Sequence, residues 1–208
     1  MKQIVTLNID GKEVKAEEGM TILEAAKQAD VEIPTLCHHE ELEPYGACRI
    51  CSVEIERRGR NRTVAACCYP VEENLKVITR SPKIDKMRKT IIELAAVTAG
   101  EDVAGRMREL ASEYNADLSR FRSNISIEPT KCILCGLCVR RCTEANWDSA
   151  IGFVGRGIYR RIVLFPDKAG ICSTCNYCRY VCPTGRTCSA SGPDPAFPKI
   201  DDALAGRK

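Results

Sequence analysis

The sequence predicts an α+β protein with a small mixed N-terminal domain, a helical spacer and a cysteine-rich C-terminal domain. Three observations predict this order. Residues 1–80 alternate apolar and polar side chains around a turn and one helical segment, residues 82–122 carry apolar side chains at helical spacing, and two matching cysteine runs follow. Of the 208 residues 14 are cysteine, a proportion above ordinary usage, so metal or redox chemistry is expected.

The N-terminal segment has the pattern of a hairpin followed by a helix. Residues 4–9 alternate apolar and polar side chains, and the turn dipeptide Asp10-Gly11 comes directly after them, so we expect a β-hairpin. Thr21 and Glu24 have the spacing of a capping box, which predicts a helix over residues 22–30. Further strands are expected at 53–56, 63–66 and 75–79. A hairpin, a helix and additional strands predict a β-grasp domain.

The middle of the chain is expected to be helical. Gly100-Glu101-Asp102 separates two runs of apolar residues at helical spacing, and this predicts two packed helices. The charged run 83–89 is expected to form a solvated face. Short strands or turns are expected at 150–157 and 158–165, between the cysteine runs. The expected boundaries are 1–80 for the first domain, 81–125 for the spacer, 126–188 for the second domain and 189–208 for an extended tail.

The C-terminal half contains two copies of the run C-x2-C-x2-C-x3-C, the second of which continues into Pro183. This run is typical of bacterial ferredoxins with two 4Fe–4S clusters. Three of its cysteines can hold three corners of one cube, and the fourth points to the other cube. The predicted ligand sets are therefore crossed: Cys132, Cys135, Cys138 and Cys182 for one cluster, and Cys172, Cys175, Cys178 and Cys142 for the other. A pair of zinc sites is the alternative, but zinc does not require cysteines at all of these offsets.

The N-terminal cysteines have the order of a plant-type ferredoxin: one cysteine, a C-x2-C loop and a distant fourth, although the first gap is longer. Cys37, Cys48 and Cys51 are the first three candidate ligands of a 2Fe–2S cluster. Cys67 and Cys68 both remain candidates for the fourth. A Rieske site would need a second histidine after the C-x2-C loop, where the sequence has serine, so the two histidines after Cys37 are expected to be loop residues.

The net charge of +3 is concentrated near the C-terminus, where residues 132–208 carry 11 Lys and Arg against 6 Asp and Glu. Three clusters, each with four thiolates, would add about −6 to the chain. We therefore expect the basic residues to offset cluster charge and to face an acidic partner, and we expect no nucleic-acid binding. No apolar stretch is long enough for a membrane-spanning helix and the first residues have no signal-peptide core, so a cytoplasmic protein without a membrane span is expected.

These motifs together resemble a known family. Residues 37–67 with Cys67-Cys68-Tyr69-Pro70-Val71, and residues 131–140 and 150–157, are similar to the N-terminal region of the large iron–sulfur subunit of respiratory complex I. They are equally similar to NAD-linked and iron-only hydrogenases and to NAD-dependent formate dehydrogenases. The resemblance implies that Cys67 is the fourth 2Fe–2S ligand. Family members commonly carry a histidine and three more cysteines in the stretch matching 92–120, which here contains neither, so that cluster is expected to be missing.

The resemblance implies an electron-relay subunit of a soluble NAD(P)-linked oxidoreductase, with one 2Fe–2S and two 4Fe–4S clusters and no catalysis of its own. Its expected partners are a flavin/NAD(P)-binding subunit and a catalytic subunit. A hydrogenase, including the electron-bifurcating kind, is the favoured host. The alternatives are a relay subunit of an NAD-dependent formate dehydrogenase and a free multi-cluster ferredoxin. A DNA-binding redox sensor is a further class, but the sequence has no convincing helix-turn-helix.

Overall fold

The computed structural model describes residues 3–57, 59–122, 130–146, 149–168, 175 and 177–185. It divides into two units, the first formed by residues 1–38 and 43–91 and the second by residues 39–42 and 92–208. The predicted tail and two of the 14 cysteines, Cys172 and Cys188, lie outside the described residues.

The first unit is built on a mixed five-stranded sheet. Its strands are Ile4–Ile9 (β1), Lys12–Glu17 (β2), Ser52–Arg57 (β3), Arg60–Ala65 (β4) and Lys76–Ile78 (β5). The strand order is β2-β1-β5-β3-β4, with β1 antiparallel to β2 and parallel to β5. The predicted hairpin at Asp10-Gly11 is confirmed, and the three later strands overlap their expected positions. The sheet order and its single packed helix have the predicted β-grasp arrangement.

The helix of this sheet, α1, spans Ile22–Gln28 and begins with the predicted capping box. The Glu24 backbone N–H donates to the Thr21 hydroxyl (3.2 Å), and the Thr21 N–H donates to the Glu24 carboxylate (2.6 Å). The helix ends shortly before the predicted end. Asp30 has a φ of +55°, in the left-handed region, where the helix cannot continue.

The core of the first unit lies between α1 and one face of the sheet. Val5, Leu7 and Ile9 of β1 are buried, while the residues between them are half-buried on the other face. This alternation is what a strand with one covered face requires. Four residues of α1 are buried against the same core: Ile22, Leu23, Ala25 and Ala26.

Two long helices follow the sheet, Pro82–Ala99 (α2) and Gly105–Glu113 (α3), and the predicted break between them is confirmed. The charged run before the break does not form a uniformly solvated face, so that expectation was wrong. Arg88 is 1% exposed and its guanidinium donates to backbone carbonyls of the first unit. In the second unit Glu93 is also buried, and Arg120 approaches its carboxylate to 2.6 Å.

The remainder of the second unit consists of short elements. Helix α4 spans Leu137–Asn146, strands Ile151–Val154 (β6) and Arg161–Leu164 (β7) pair antiparallel, and α5 spans Tyr177–Tyr180. The predicted strands at 150–157 and 158–165 are confirmed, although each is shorter than expected. Within the described part of the chain, no helix has the length and apolar character needed to cross a bilayer.

Replacing Thr21 with alanine removes the hydroxyl that accepts the Glu24 N–H. We expect the free energy of unfolding to fall by about 1 kcal/mol, because an N–H of the first helical turn loses its partner. Denaturant titration of the anaerobic variant and the wild type measures this difference. Thr21→Ser keeps the hydroxyl and should lose much less. An alanine variant as stable as the wild type would contradict the capping role.

Candidate metal centres

The first group of cysteines comes together from three separate parts of the first unit. Cys37 lies in the loop after α1, Cys48 and Cys51 lie just before β3, and Cys67 follows β4. Cys37, Cys51 and Cys67 are each 1% exposed, and Cys48 is half-buried. The sulfurs of Cys51 and Cys67 lie 3.4 Å apart, and the Cys48 N–H donates to the Cys37 sulfur at 3.3 Å.

The neighbouring thiols of this group shift one another's pKa values. The hydrogen bond with Cys37, then burial and then the Cys37 charge raise the pKa of Cys48. The hydrogen bond that Cys51 and Cys67 share lowers the pKa of Cys51 to about 7 and raises the pKa of Cys67. Thiolates this close repel one another unless cations lie between them. Among the described residues, no three Cys, His, Asp or Glu side chains lie in the geometry that holds a single metal ion. The two close pairs, Cys37 with Cys48 and Cys51 with Cys67, supply the thiol donors that a cluster needs.

The next residue, Cys68, lies at the rim of this group. It is exposed, and its sulfur is 3.5 Å from that of Cys67. Gly46 packs directly against it with a φ of +65°, and a Cβ at this position would come within 2.9 Å of the Cys68 sulfur. A larger residue at position 46 would therefore be strained twice, by its backbone conformation and by this contact.

A second group of cysteines lines a cavity in the second unit. The cavity walls combine sulfur atoms with apolar side chains, among them Ile133, Leu137 and Ile162. Its cysteines are Cys132, Cys135, Cys138, Cys178 and Cys182. Burial raises the pKa of Cys138 well above the usual value, and repulsion from the other four cysteines adds to this effect. Cys182 therefore lines this cavity together with Cys132, Cys135 and Cys138, the first three cysteines of the first run. Cys178 of the second run lines the same cavity.

The structure describes only part of the second predicted 4Fe–4S ligand set, which consists of Cys172, Cys175, Cys178 and Cys142. Cys142 on α4 accepts a hydrogen bond from the Ala150 N–H at 3.2 Å. Cys142 and Cys178 both pack against the apolar cluster that contains Ile151 and Ile162. Cys175 is half-buried, and the fourth predicted member, Cys172, is outside the described residues.

Helices α2 and α3 hold the cavity walls through hydrogen bonds that sequence reasoning missed. The Thr98 hydroxyl on α2 donates to the Cys132 carbonyl (2.8 Å), and the Met107 N–H on α3 donates to the Pro183 carbonyl (3.0 Å). Thr184 is 2% exposed, donates to the Lys131 carbonyl (2.7 Å) and lies 3.2 Å from the Cys182 sulfur. These contacts join the start of the first run to the end of the second. The sequence does not reveal the role of either threonine, because the carbonyl that each one binds belongs to a distant part of the chain.

Comparison with known proteins finds a matching family model and similar curated proteins. A family model described as a 2Fe-2S iron-sulfur cluster binding domain matches residues 2–82. The NADPH-Fe(3+) oxidoreductase subunit alpha of Geobacter sulfurreducens is 36% identical over 201 residues, covering 88% of this chain and 24% of that protein. The NADH-ubiquinone oxidoreductase 75 kDa subunit of Reclinomonas americana is 34% identical over 184 residues, covering 79% and 26%. The chain thus spans about a quarter of the length of these curated relatives.

A solved structure is similar to this chain over a larger share of its own length than the curated relatives are. It is a chain in the crystal structure of an NAD+-reducing NiFe-hydrogenase in the H2-reduced state, with a TM-score of 0.67 and 30% sequence identity. The match covers 77% of this chain and 74% of that chain. The similarity therefore extends beyond residues 2–82 into the second unit.

Replacing Thr184 with valine keeps the shape of the side chain and removes its hydroxyl. The Lys131 carbonyl then loses this buried donor, so we expect the free energy of unfolding to fall by about 1–2 kcal/mol. Thr143→Val is the matched control, because the Thr143 hydroxyl is exposed and bonds within α4 to the Val139 carbonyl. Denaturant titration compares the two. Equal losses in both variants would contradict the role given to Thr184.

Proposed function

Because this chain belongs to the family of iron–sulfur subunits that includes the complex I 75 kDa subunit and a chain of an NAD+-reducing hydrogenase, we propose that it relays electrons within an NAD(P)-linked oxidoreductase. Its N-terminal domain is a 2Fe–2S cluster-binding domain. The observation that carries the proposal is the close approach of Cys37 to Cys48 and of Cys51 to Cys67 in that domain, with three of these four cysteines fully buried.

The proposed 2Fe–2S ligands are Cys37, Cys48, Cys51 and Cys67. Burial and the short sulfur–sulfur distance between Cys51 and Cys67 support this set. The exposure of Cys68 and its position at the rim favour Cys67 over Cys68. This preference agrees with the one implied by the family pattern Cys-x-x-Pro-Val.

Two 4Fe–4S clusters are proposed for the second unit, with crossed ligand sets. One set is Cys132, Cys135, Cys138 and Cys182, and the other is Cys172, Cys175, Cys178 and Cys142. The cavity shared by Cys182 and the first run supports the crossed assignment, since Cys182 belongs to the second run in sequence. The packing of Cys142 and Cys178 against one apolar cluster is consistent with the second set.

Iron–sulfur clusters supply reversible one-electron transfer when bound. This chain contributes a buried site from which water is excluded. It also contributes backbone N–H groups that donate hydrogen bonds to the sulfur ligands. Cys37 accepts from the Cys48 N–H (3.3 Å), and Cys132 accepts from the Leu134 N–H (3.3 Å). Leu134 reaches this position with a φ of +55°. Hydrogen bonds to sulfur favour the more negative, reduced state and so raise the reduction potential.

Basic side chains beside the second cysteine group supply further positive charge. The side chains of Arg140 and Arg141 on α4 are only 16% and 19% exposed, although both pair with glutamates. Arg160 lies over the Phe153 ring at 4.1 Å from its centroid. The burial of Arg140 and Arg141 favours a counter-charge role for these two arginines over a solvated surface that binds nucleic acid.

The proposed partners are a flavin/NAD(P)-binding subunit, which delivers or accepts electrons from the nucleotide, and a catalytic subunit. A hydrogenase is the proposed host, because the chain spans 74% of the length of the similar hydrogenase chain. It spans only about a quarter of the length of the Geobacter sulfurreducens and Reclinomonas americana relatives. A free ferredoxin with the same clusters would exchange electrons by diffusion and would need no fixed partner.

Cys67→Ser and Cys68→Ser form a matched pair that tests the fourth ligand. We expect Cys67→Ser to alter the 2Fe–2S absorption and EPR spectra or to lose the cluster, because a hard oxygen ligand replaces a thiolate inside the site. Cys68→Ser should leave both spectra nearly unchanged. Loss of the signal in Cys68→Ser with retention in Cys67→Ser would reverse the assignment.

Anaerobic purification of the tagged chain from its native host tests the relay. We expect it to copurify in stoichiometric amounts with a flavoprotein, and we expect NADH or NADPH to bleach the iron–sulfur absorption of the purified complex. The isolated chain is the control, and NAD(P)H should not reduce it. A native chain that purifies alone, and that exchanges electrons only by diffusion, would favour the free-ferredoxin alternative.

A further inference from the structure

A buried arginine lies directly against the backbone of the N-terminal cysteine site. Arg88 on α2 is 1% exposed, and its Nε donates to the Ile50 carbonyl at 3.1 Å. Its Nη2 donates to the Ser52 carbonyl at 2.9 Å and to the Thr79 carbonyl at 3.0 Å. Ile50 and Ser52 are the two neighbours of Cys51 in the chain. One guanidinium therefore holds the backbone on both sides of a proposed 2Fe–2S ligand.

The planar guanidinium suits this position for two reasons. It presents several donors in a fixed fork, so it can bind the carbonyls of a loop residue, of the first residue of β3 and of the residue after β5 at the same time. It also stays protonated in proteins, so the site carries a permanent positive charge. Ile50 itself is fully buried, and the loop before it contains Arg49 with a φ of +62°. Such a loop conformation needs outside support to persist.

Arg88 shares a neighbouring carboxylate with a second arginine. The carboxylate of Asp85 lies 4.0 Å from Nη1. Asp85 also pairs with Arg80, whose Nη2 lies 3.3 Å from the other carboxylate oxygen. Two cations thus share one carboxylate. Arg80 is half exposed and screened by water, whereas Arg88 is buried and its charge acts through a medium of low dielectric constant.

We propose that Arg88 is a positioning residue of the 2Fe–2S site, which fixes the backbone around Cys51 and whose buried charge raises the reduction potential of the cluster that Cys51 holds. This inference rests on the ligand role proposed for Cys51. Reduction adds one electron and makes the site more negative by one unit, so a fixed positive charge nearby stabilises the reduced form more than the oxidised form.

The test is an anaerobic redox titration of the holoprotein with dithionite, followed by the EPR signal of the reduced 2Fe–2S cluster. Arg88→Met removes the charge and the fork, and we expect the equilibrium constant for reduction to fall about tenfold, which corresponds to 59 mV for one electron. Arg62→Met is the control, because Arg62 is an exposed arginine on β4 of the same unit. The reduction potential of the Arg62→Met variant should stay at the wild-type value.

Two further variants separate charge from positioning and remain informative if Arg88→Met does not fold. Asp85→Asn removes the carboxylate that offsets Arg88, so its potential should rise. Arg88→Lys keeps the charge, so the reduction potential of the cluster should stay near the wild-type value. The lysine ammonium cannot bind all three carbonyls in the way that the planar guanidinium does. An iron chelator should remove 2Fe–2S iron from this variant several-fold faster than from the wild type.

The outcomes can be told apart. Unchanged potentials in Asp85→Asn and in any folded Arg88→Met protein would overturn the electrostatic role, as would an equal shift in Arg62→Met. Iron release from Arg88→Lys at the wild-type rate would overturn the positioning role. A wild-type chain without any 2Fe–2S signal would instead refute the proposed function.

Discussion

The close approach of cysteine thiols, most of them buried, is the constraint on which the first unit depends. A hydrogen bond to the neighbouring cysteine, then burial and then repulsion from the neighbour's charge raise the pKa values of Cys48 and Cys67. The arrangement becomes favourable when iron lies between the sulfurs, since the cations then offset the repulsion. Ligand binding and folding are therefore linked in this domain, as they are at other structural metal sites. The β-grasp sheet and α1 supply the apolar core that carries the loops.

The supports of both cysteine groups come from residues that are not ligands. Arg88 binds the backbone on either side of Cys51, and the hydroxyls of Thr98 and Thr184 hold the backbone at Cys132 and Lys131. All three bind backbone carbonyls, so they fix the path of the chain beside the cysteines. Helix α2 thus supports the backbone at both cysteine groups, and α3 supports it at the second.

The sequence was informative where structure is local or where spacing itself carries chemistry. Asp10-Gly11 and the Thr21–Glu24 capping box each act within a few residues, and both were predicted correctly. The cysteine spacing predicts two crossed ligand sets. One cavity contains Cys132, Cys135, Cys138 and Cys182 but also Cys178 of the other set, so the division into two sets stays a prediction. Arg88 was misread as a solvated residue, because its carbonyl partners lie up to 38 residues away and carry no side-chain signal. The helix ends at Gln28, two residues before its predicted end, and the left-handed conformation of Asp30 prevents it from continuing.

The proposed relay requires three iron–sulfur centres in this chain, and the iron and acid-labile sulfide content of the anaerobically purified protein measures them. One 2Fe–2S and two 4Fe–4S clusters require about ten iron and about ten sulfide per chain. We expect both assays to approach this value, with EPR of the reduced protein resolving the 2Fe–2S signal from the 4Fe–4S signals. Stoichiometric zinc with little sulfide, or about two iron per chain with none attributable to the second unit, would contradict the account.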